Sequence, residues 1–411
     1  MHPLPVTTPT DKMADSSPHL HSVAIVGGGA AGFFCAIRIK ELAPDIQVTI
    51  FEQSRKVLAK VAISGGGRCN CTNTFAGISD LSQAYPRGAT LLKRLFKQFS
   101  QHDTIHWFES HGVPLVTQPD ECIFPKAQDS QAIINCFLHE AKRHNIAIRL
   151  EQKITEPITL LTDFSDVVVT VGGMQHSSLK LPMELSPCVP SLYTFNISDP
   201  ALHDLMGIVA DNATVSIPGT KFKACDALLI THWGMSGPAI LKLSSYAARH
   251  LAENNYSAPL AVNWTGETNT DVIRQHINRM LESNSPARLI DNIHPYRLNT
   301  RLWSYLLQKI QLSGKPLSDI GKKSLNRIVE ILSNDQYSIA SRCHYKDEFV
   351  TCGGIPLESV NKHTLESKST PHLYFAGEAL DIDGITGGFN FQAAWTTADA
   401  VARGIVRRAN D

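Results

Sequence analysis

No C-x-x-C pair occurs in this sequence, and no apolar run approaches the roughly 18–20 residues that a membrane-spanning helix needs. Neither sign of charge dominates: 38 Lys and Arg face 38 Asp and Glu, so bulk electrostatics single out no partner. The nine cysteines are odd in number and scattered, and Cys69 and Cys71 stand too close for a ready disulfide. That usage fits reduced thiols in a cytoplasm. The histidines do not fall into ligand spacings with cysteine or carboxylate, so no metal is expected. No serine has the strand–turn–helix context of G-x-S-x-G, which removes one common signal of nucleophilic hydrolysis. Residues 1–20 lack the basic start and apolar stretch of a signal peptide and read as a loose polar leader, with Met13 a second candidate start beside Met1.

The 411 residues suffice for two or three domains, and their glycines fall at telling places. "SVAIVGGGAAGFFCAIRIKELAPDIQVTIFE" has the parts of a strand, a tight turn, a helix and a second strand. Gly27, Gly29 and Gly32 fit G-x-G-x-x-G: the first makes the turn, the second admits a pyrophosphate, and the third lets helix and strand pack closely. Ala30 and Ala31 open the helix, whose N-terminus faces the phosphates. Glu52 ends the second strand, followed by Gln53, and its carboxylate suits the two ribose hydroxyls of an adenosine. A carboxylate there repels a 2′-phosphate, so the site is expected to hold FAD or NAD rather than NADP. A glycine turn of some other α/β protein is the plainer alternative.

A second cluster, "AISGGGRCNCTN" (residues 62–73), follows at once. Gly65, Gly66 and Gly67 would let backbone N–H groups approach a flat or anionic group, with Lys60 nearby. Arg68 would hold an anion or the O2 side of a ring, and Asn70 and Asn73 would orient by hydrogen bonds. A tight strand–helix connection is the alternative. Near the other end, "PHLYFAGEALDIDGITGGFNFQAAWTTADAVARGI" opens with a strand and closes with an alanine-rich helix entered through Gly387 and Gly388. Gly377, Glu378, Asp381, Phe389 and Asn390 lie along this second strand–helix junction. Flavoproteins of the glutathione-reductase superfamily use such a junction to face the helix dipole toward the flavin N1 and C2=O.

"SGGGRCNCTN", "THWGMSGPAIL", "TCGGIPLESVNKHTLESK" and "YFAGEALDIDGITGGFNFQAA" together resemble the BaiN/RdsA family of NAD(P)/FAD-dependent oxidoreductases, also called the aminoacetone oxidase family of FAD-binding enzymes. The resemblance runs from about residue 22 to residue 407. It implies an α/β fold in which a Rossmann-like FAD-binding domain of glutathione-reductase type is interrupted by an insert with a β-barrel subdomain and a helical subdomain. The expected boundaries are 21–188 and 346–411 for the FAD-binding domain, 189–266 and 334–345 for the barrel, and 267–333 for the helices. "DVVVTVGG" stands where such proteins carry A-T-G-G beside the FAD, which adds Gly172 and Gly173 to the cradle. The following "MQHSSLKLPMEL" lacks the glycine-rich stretch of many members.

FAD is thus expected as a non-covalent cofactor. With a single G-x-G-x-x-G, NAD(P)H would be a transient donor visiting the same flavin. Cys69 matches the family's R-C-N and is the candidate proton donor for reducing a conjugated C=C, the alternative being a small buried apolar residue. Glu378 and Asp383 are further candidate acids, and His232 and Trp233 candidate pocket residues. The resemblance implies two substrate classes, steroid-like enones (a bile-acid-type reductase) and uracil of ribosomal RNA reduced to dihydrouridine. Between Arg274 and Arg327, ten Lys and Arg face three acids, a basic surplus that suits phosphate contacts or a plain solvated face. RNA is the favoured partner; a small unsaturated molecule, an amine oxidised by O2 and a non-enzymatic flavin protein are the alternatives.

Overall fold

A computed structural model describes residues 21–175, 177–343 and 350–411. The expected leader over 1–20 and part of the expected return from barrel to FAD-binding domain, 344–349, lie outside the described residues.

Five strands, β1 (Ser22–Val26), β2 (Gln47–Phe51), β3 (Ala147–Arg149), β4 (Asp166–Val169) and β5 (Leu373–Phe375), form one parallel sheet in the order β3-β2-β1-β4-β5. Its central strands are short runs of Val, Ile and Ala with no exposed face, as a sheet covered on both sides requires. Order reverses between β1 and β4, and the crevice at that switch point is where such sheets bind nucleotides.

Helix α1 (Ala30–Leu42) is apolar through its first two turns and buries Phe33, Phe34, Ile37 and Ile39 between the sheet and the C-terminal helix (Phe389–Asn410). Small residues, including Ala394 and Ala398, line the C-terminal helix. Gly377 shows the closeness: a Cβ there would stand 2.8 Å from the Ala31 Cβ. Buried Asp399 locks the pair of helices, accepting from Arg38 Nε at 2.9 Å.

The insert leaves through two antiparallel strands, Ser186–Ser191 and Val350–Gly354. Beyond them lies a closed barrel of six strands, Val209–Ser216, Lys223–Thr231, Gly234–Ser236, Phe195–Ile197, Asp335–Arg342 and Ala258–Asn263, in that cyclic order. Three amphipathic helices follow the same core: α2 (Thr270–Glu282), α3 (Thr300–Lys309) and α4 (Lys322–Ser333). Asn269 and Asn299 cap α2 and α3, accepting from Asp271 and Arg301 N–H. Ile273, Trp303 and Ile328 bury into one apolar cluster with barrel residues Phe195, Ile230 and Leu260, so barrel and helices share a single core. Among the described residues, no helix is long and apolar enough to cross a membrane.

Candidate functional site

The first glycine turn sits at the switch point. Gly27 has φ +115°, and a Cβ there would lie 2.5 Å from the Thr170 carbonyl oxygen that follows β4. At Gly32 a Cβ would lie 2.0 Å from the Gly27 oxygen, so the first turn of α1 presses directly on the strand ends. Gly29 differs: its Cβ position meets nothing within 4 Å. Two of the glycines are therefore demanded by the fold itself, whereas Gly29 opens outward at the helix N-terminus, where a pyrophosphate approaches. Glu52 is fixed beside this turn. Its carboxylate accepts from Gly28 N–H at 2.9 Å and from Ser54 N–H and Oγ at 2.8 and 2.7 Å. Gln53 is exposed next to it.

The second cluster is a left-handed loop. Gly65, Gly66 and Gly67 have φ of +56°, +69° and +87°, and Cys69 follows at +61°. Cβ positions at Gly66 and Gly67 meet nothing within 4 Å, so this wall also faces open space. Ser130 anchors the loop from behind, its N–H donating to Gly67 O at 2.8 Å and its hydroxyl to Ala62 O at 3.0 Å. The loop then meets the C-terminal junction. Asn73 Nδ2 donates to Gly387 O at 3.1 Å, and a Cβ on Gly388 would lie 2.4 Å from Thr72 O and 2.7 Å from Asn70 Oδ1. The three glycine-bearing segments thus form one continuous cradle between two helix N-termini. This fits a dinucleotide: adenosine ribose at Glu52, pyrophosphate at Gly29, and the far ring toward residues 65–67 and 387–388.

A fourth corner lies past β4. Lys60 Nζ stands 3.2 Å from Glu378 Oε2, and the other oxygen of Glu378 accepts from Thr351 N–H at 2.9 Å. Gly172, at φ +79°, faces this pair, and a Cβ on Gly173 would lie 2.2 Å from Thr351 Oγ1. Thr351 was not among the sequence candidates; only its place in the linker strand reveals it.

Several expected roles need correction. Cys69 is fully buried, and burial pushes its thiol up to about 12, against a hydrogen bond from Ser64 that lowers it. With φ +61° and its side chain buried, Cys69 fits the alternative reading of a small buried apolar residue. Arg68 bends back over its own loop, its guanidinium 4.3 Å from the Phe124 ring centroid and its Nε donating to Gly65 O at 3.2 Å. In this position Arg68 braces the loop. Phe389 is buried against Phe75, with ring centroids 5.0 Å apart. Asn390 spends both ends of its amide on Gly384, at 2.8 and 2.9 Å. Asp381 is paired with Arg249 Nη2 at 2.7 Å, and Asp383 is fully buried in an ion pair with Arg87. Asp381 keeps its other oxygen, Oδ1, buried without a hydrogen-bond partner, whereas both oxygens of Asp383 are engaged.

A family model described as the HI0933-like protein Rossmann domain matches residues 21–194, and the HI0933-like protein barrel and H2TH domain matches residues 189–350. The chain belongs to the HI0933-like family. Cradle and family together place it among the FAD-dependent oxidoreductases. The chain is 25% identical over 408 residues to the ribosomal RNA dihydrouridine synthase of Escherichia coli, covering 93% of this chain and 97% of that one. It is also 25% identical over 418 residues to the 3-dehydro-bile acid delta(4,6)-reductase of Clostridium scindens, covering 95% of this chain and all of that one. The synthase of Haemophilus influenzae is 25% identical over 417 residues, with 93% and 98% covered.

Proposed function

We propose that this HI0933-like protein is a cytoplasmic enzyme that reduces the C5=C6 bond of a uridine in ribosomal RNA, giving dihydrouridine, with NAD(P)H as electron donor and non-covalent FAD between the two. Once reduced by NAD(P)H, FAD would supply the hydride for the electron-poor carbon of a conjugated carbonyl, while a proton reaches the neighbouring carbon. The chain's own residues bind and orient. Glu52 would hold the adenosine ribose, the N-termini of α1 and the C-terminal helix would face the anionic groups, and the Lys60–Glu378 pair borders the corner at Gly172.

One observation carries the choice of RNA. Of the ten Lys and Arg between Arg274 and Arg327, Lys309 alone has a carboxylate within 4 Å among the described residues, pairing with Asp335 at 2.5 Å. Arg274, Arg279, Arg288, Arg297, Arg301, Lys315, Lys322, Lys323 and Arg327 are left to solvent, neutral hydrogen-bonding groups or phosphate. Nine unneutralised cations on one subdomain suit a polyanion. A substrate of bile-acid type is the second reading, favoured by an equal identity to the reductase. Mass spectrometry of ribosomal RNA from a deletion strain tests the proposal: one dihydrouridine should disappear and return with the restored gene. Unchanged RNA overturns it.

A further inference from the structure

A second cavity, built on the support of the glycine loop, belongs to neither the cradle nor the insert. It encloses about 580 Å³, a volume in the range of small-molecule sites. One wall is the helix Gln131–Arg143, which brings Ala132, Asn135, Cys136 and His139 to it at i, i+3, i+4 and i+7. The segments 111–114 and 125–127 form the other walls, joined where Lys126 N–H donates to Pro114 O at 2.8 Å. Ser130, the residue before this helix, is the one that anchors Gly67 and Ala62.

Among the described residues that line the cavity, none is a carboxylate. Lys126 is exposed and has no carboxylate within 4 Å among the described residues. Asn135, also exposed, accepts at Oδ1 from Gln131 Nε2 at 2.7 Å, which leaves its NH2 group as a donor. His139 stands at the rim with its side chain 74% exposed, able to donate as well.

His111 adds a fixed positive charge. Its Nδ1 meets the Trp107 carbonyl at 2.6 Å and its Nε2 the Glu41 carboxylate at 2.9 Å. Both partners can only accept, so both ring nitrogens carry a proton. The hydrogen bond to Glu41 accordingly raises the His111 imidazole above its ordinary range. The nearby carboxylates of Glu41 and Glu140 are matched in turn by Arg38 and Arg143. Between the donors the lining is apolar, with Val113 and Pro125 buried in it. The two histidines do not make a cation site: among the described residues, no cluster of His, Cys, Asp and Glu could hold a metal ion.

We infer that this cavity binds a small organic anion, its carboxylate or phosphate met by Lys126, Asn135 and His139 and its apolar body lying over Val113 and Pro125. Every polar side chain that the lining offers to a ligand can donate, which favours an acceptor-only head group. The apolar floor favours a ligand with a hydrocarbon body over a bare inorganic ion.

The test uses the FAD-loaded full chain, so that the cradle is filled, and anilinonaphthalene sulfonate (ANS) as the probe in titration calorimetry. One saturable site is expected. Lys126→Glu, a change at an exposed position, should weaken ANS by about 10- to 100-fold through loss of a charge-assisted contact. Ala132→Trp fills the cavity and leaves its charge alone, and should weaken ANS at least as much. Benzoate and phenyl phosphate should displace the probe, the better of the two naming the head group. Benzylamine, with a similar body and the opposite charge, should not. Absence of a saturable site, binding within twofold of wild type in both variants, or displacement by benzylamine as readily as by benzoate would overturn the inference.

Discussion

Arg87 and Asp383, 296 residues apart, meet in a two-point ion pair at the seam between the nucleotide-binding sheet and the barrel. Ser191, the last residue of the outgoing linker strand, donates its hydroxyl to the same carboxylate at 3.0 Å. From the other side, Arg87 Nη1 reaches the Ser245 carbonyl at 2.8 Å. One buried pair thus ties both halves of the nucleotide-binding domain to the insert.

Arg87→Met should cost about 3–5 kcal/mol, because it strands the Asp383 charge in the interior. Burial raises the Asp383 carboxyl above its ordinary range, even against the lowering effect of Arg87 and Ser191. A raised acid adds stability at low pH that is lost as pH climbs through its folded value. Removing Arg87 raises it further, so the variant's deficit should be smaller at pH 5 than at pH 8. Urea unfolding at the two values measures this, and an equal deficit would contradict it.

Gly29 and Gly32 should separate cofactor binding from folding. Gly29→Val adds bulk where nothing lies within 4 Å, so the apoprotein should melt near wild type yet bind FAD at least tenfold more weakly. Gly32→Ala forces a Cβ to 2.0 Å from the Gly27 oxygen and should destabilise the apoprotein itself, by about 1–3 kcal/mol. Calorimetry of the apoproteins and flavin fluorescence titrations distinguish the two.

Glu52→Ala should release FAD more readily, losing roughly 1.5–3 kcal/mol for each charge-assisted ribose hydrogen bond. Glu52→Gln, which keeps an acceptor oxygen, should lose less. Equilibrium dialysis gives both constants, and NADP retained in place of FAD would contradict the assignment.

Replacing Lys322, Lys323 and Arg327 with Glu should weaken binding to ribosomal RNA and flatten its dependence on salt, since fewer counterions are released. FAD content should stay that of the wild type, because α4 packs on the barrel and not on the cradle. Filter binding between about 50 and 200 mM salt reads the slope. An unchanged slope would make the basic surplus a solvated face.

What the sequence made legible was local. Gly27, Gly29, Gly32 and Glu52 lie within one strand–helix–strand unit, where spacing alone assigns each a physical task. Nothing in that spacing says that Gly32 meets a backbone oxygen while Gly29 meets open space. Asp383 stood in a glycine-rich run and read as a flavin-side acid; its partner Arg87 lies in an unremarkable loop that no pattern marks. Cys69 left two readings open for a different reason: its burial depends on a left-handed residue, and composition does not encode that conformation. Thr351 opens a quoted motif, yet its contact with Glu378 arises from strand pairing across a long separation that the motif does not encode.

The interrupted sheet has a consequence for how the protein comes into being. Helix α1 offers an apolar surface that Phe99, Trp107 and Phe137 cover in part and the C-terminal helix completes, and that helix begins at Phe389, nearly 350 residues after α1 ends at Leu42. At about 5–20 residues per second, translation leaves that cover incomplete for roughly 20–70 s. The same delay governs the cofactor, because Gly387 and Gly388 close the cradle from that late segment. The apolar face of α1 is thus completed, and a flavin resting on Gly387 and Gly388 would be captured, only after nearly all of the chain has been made.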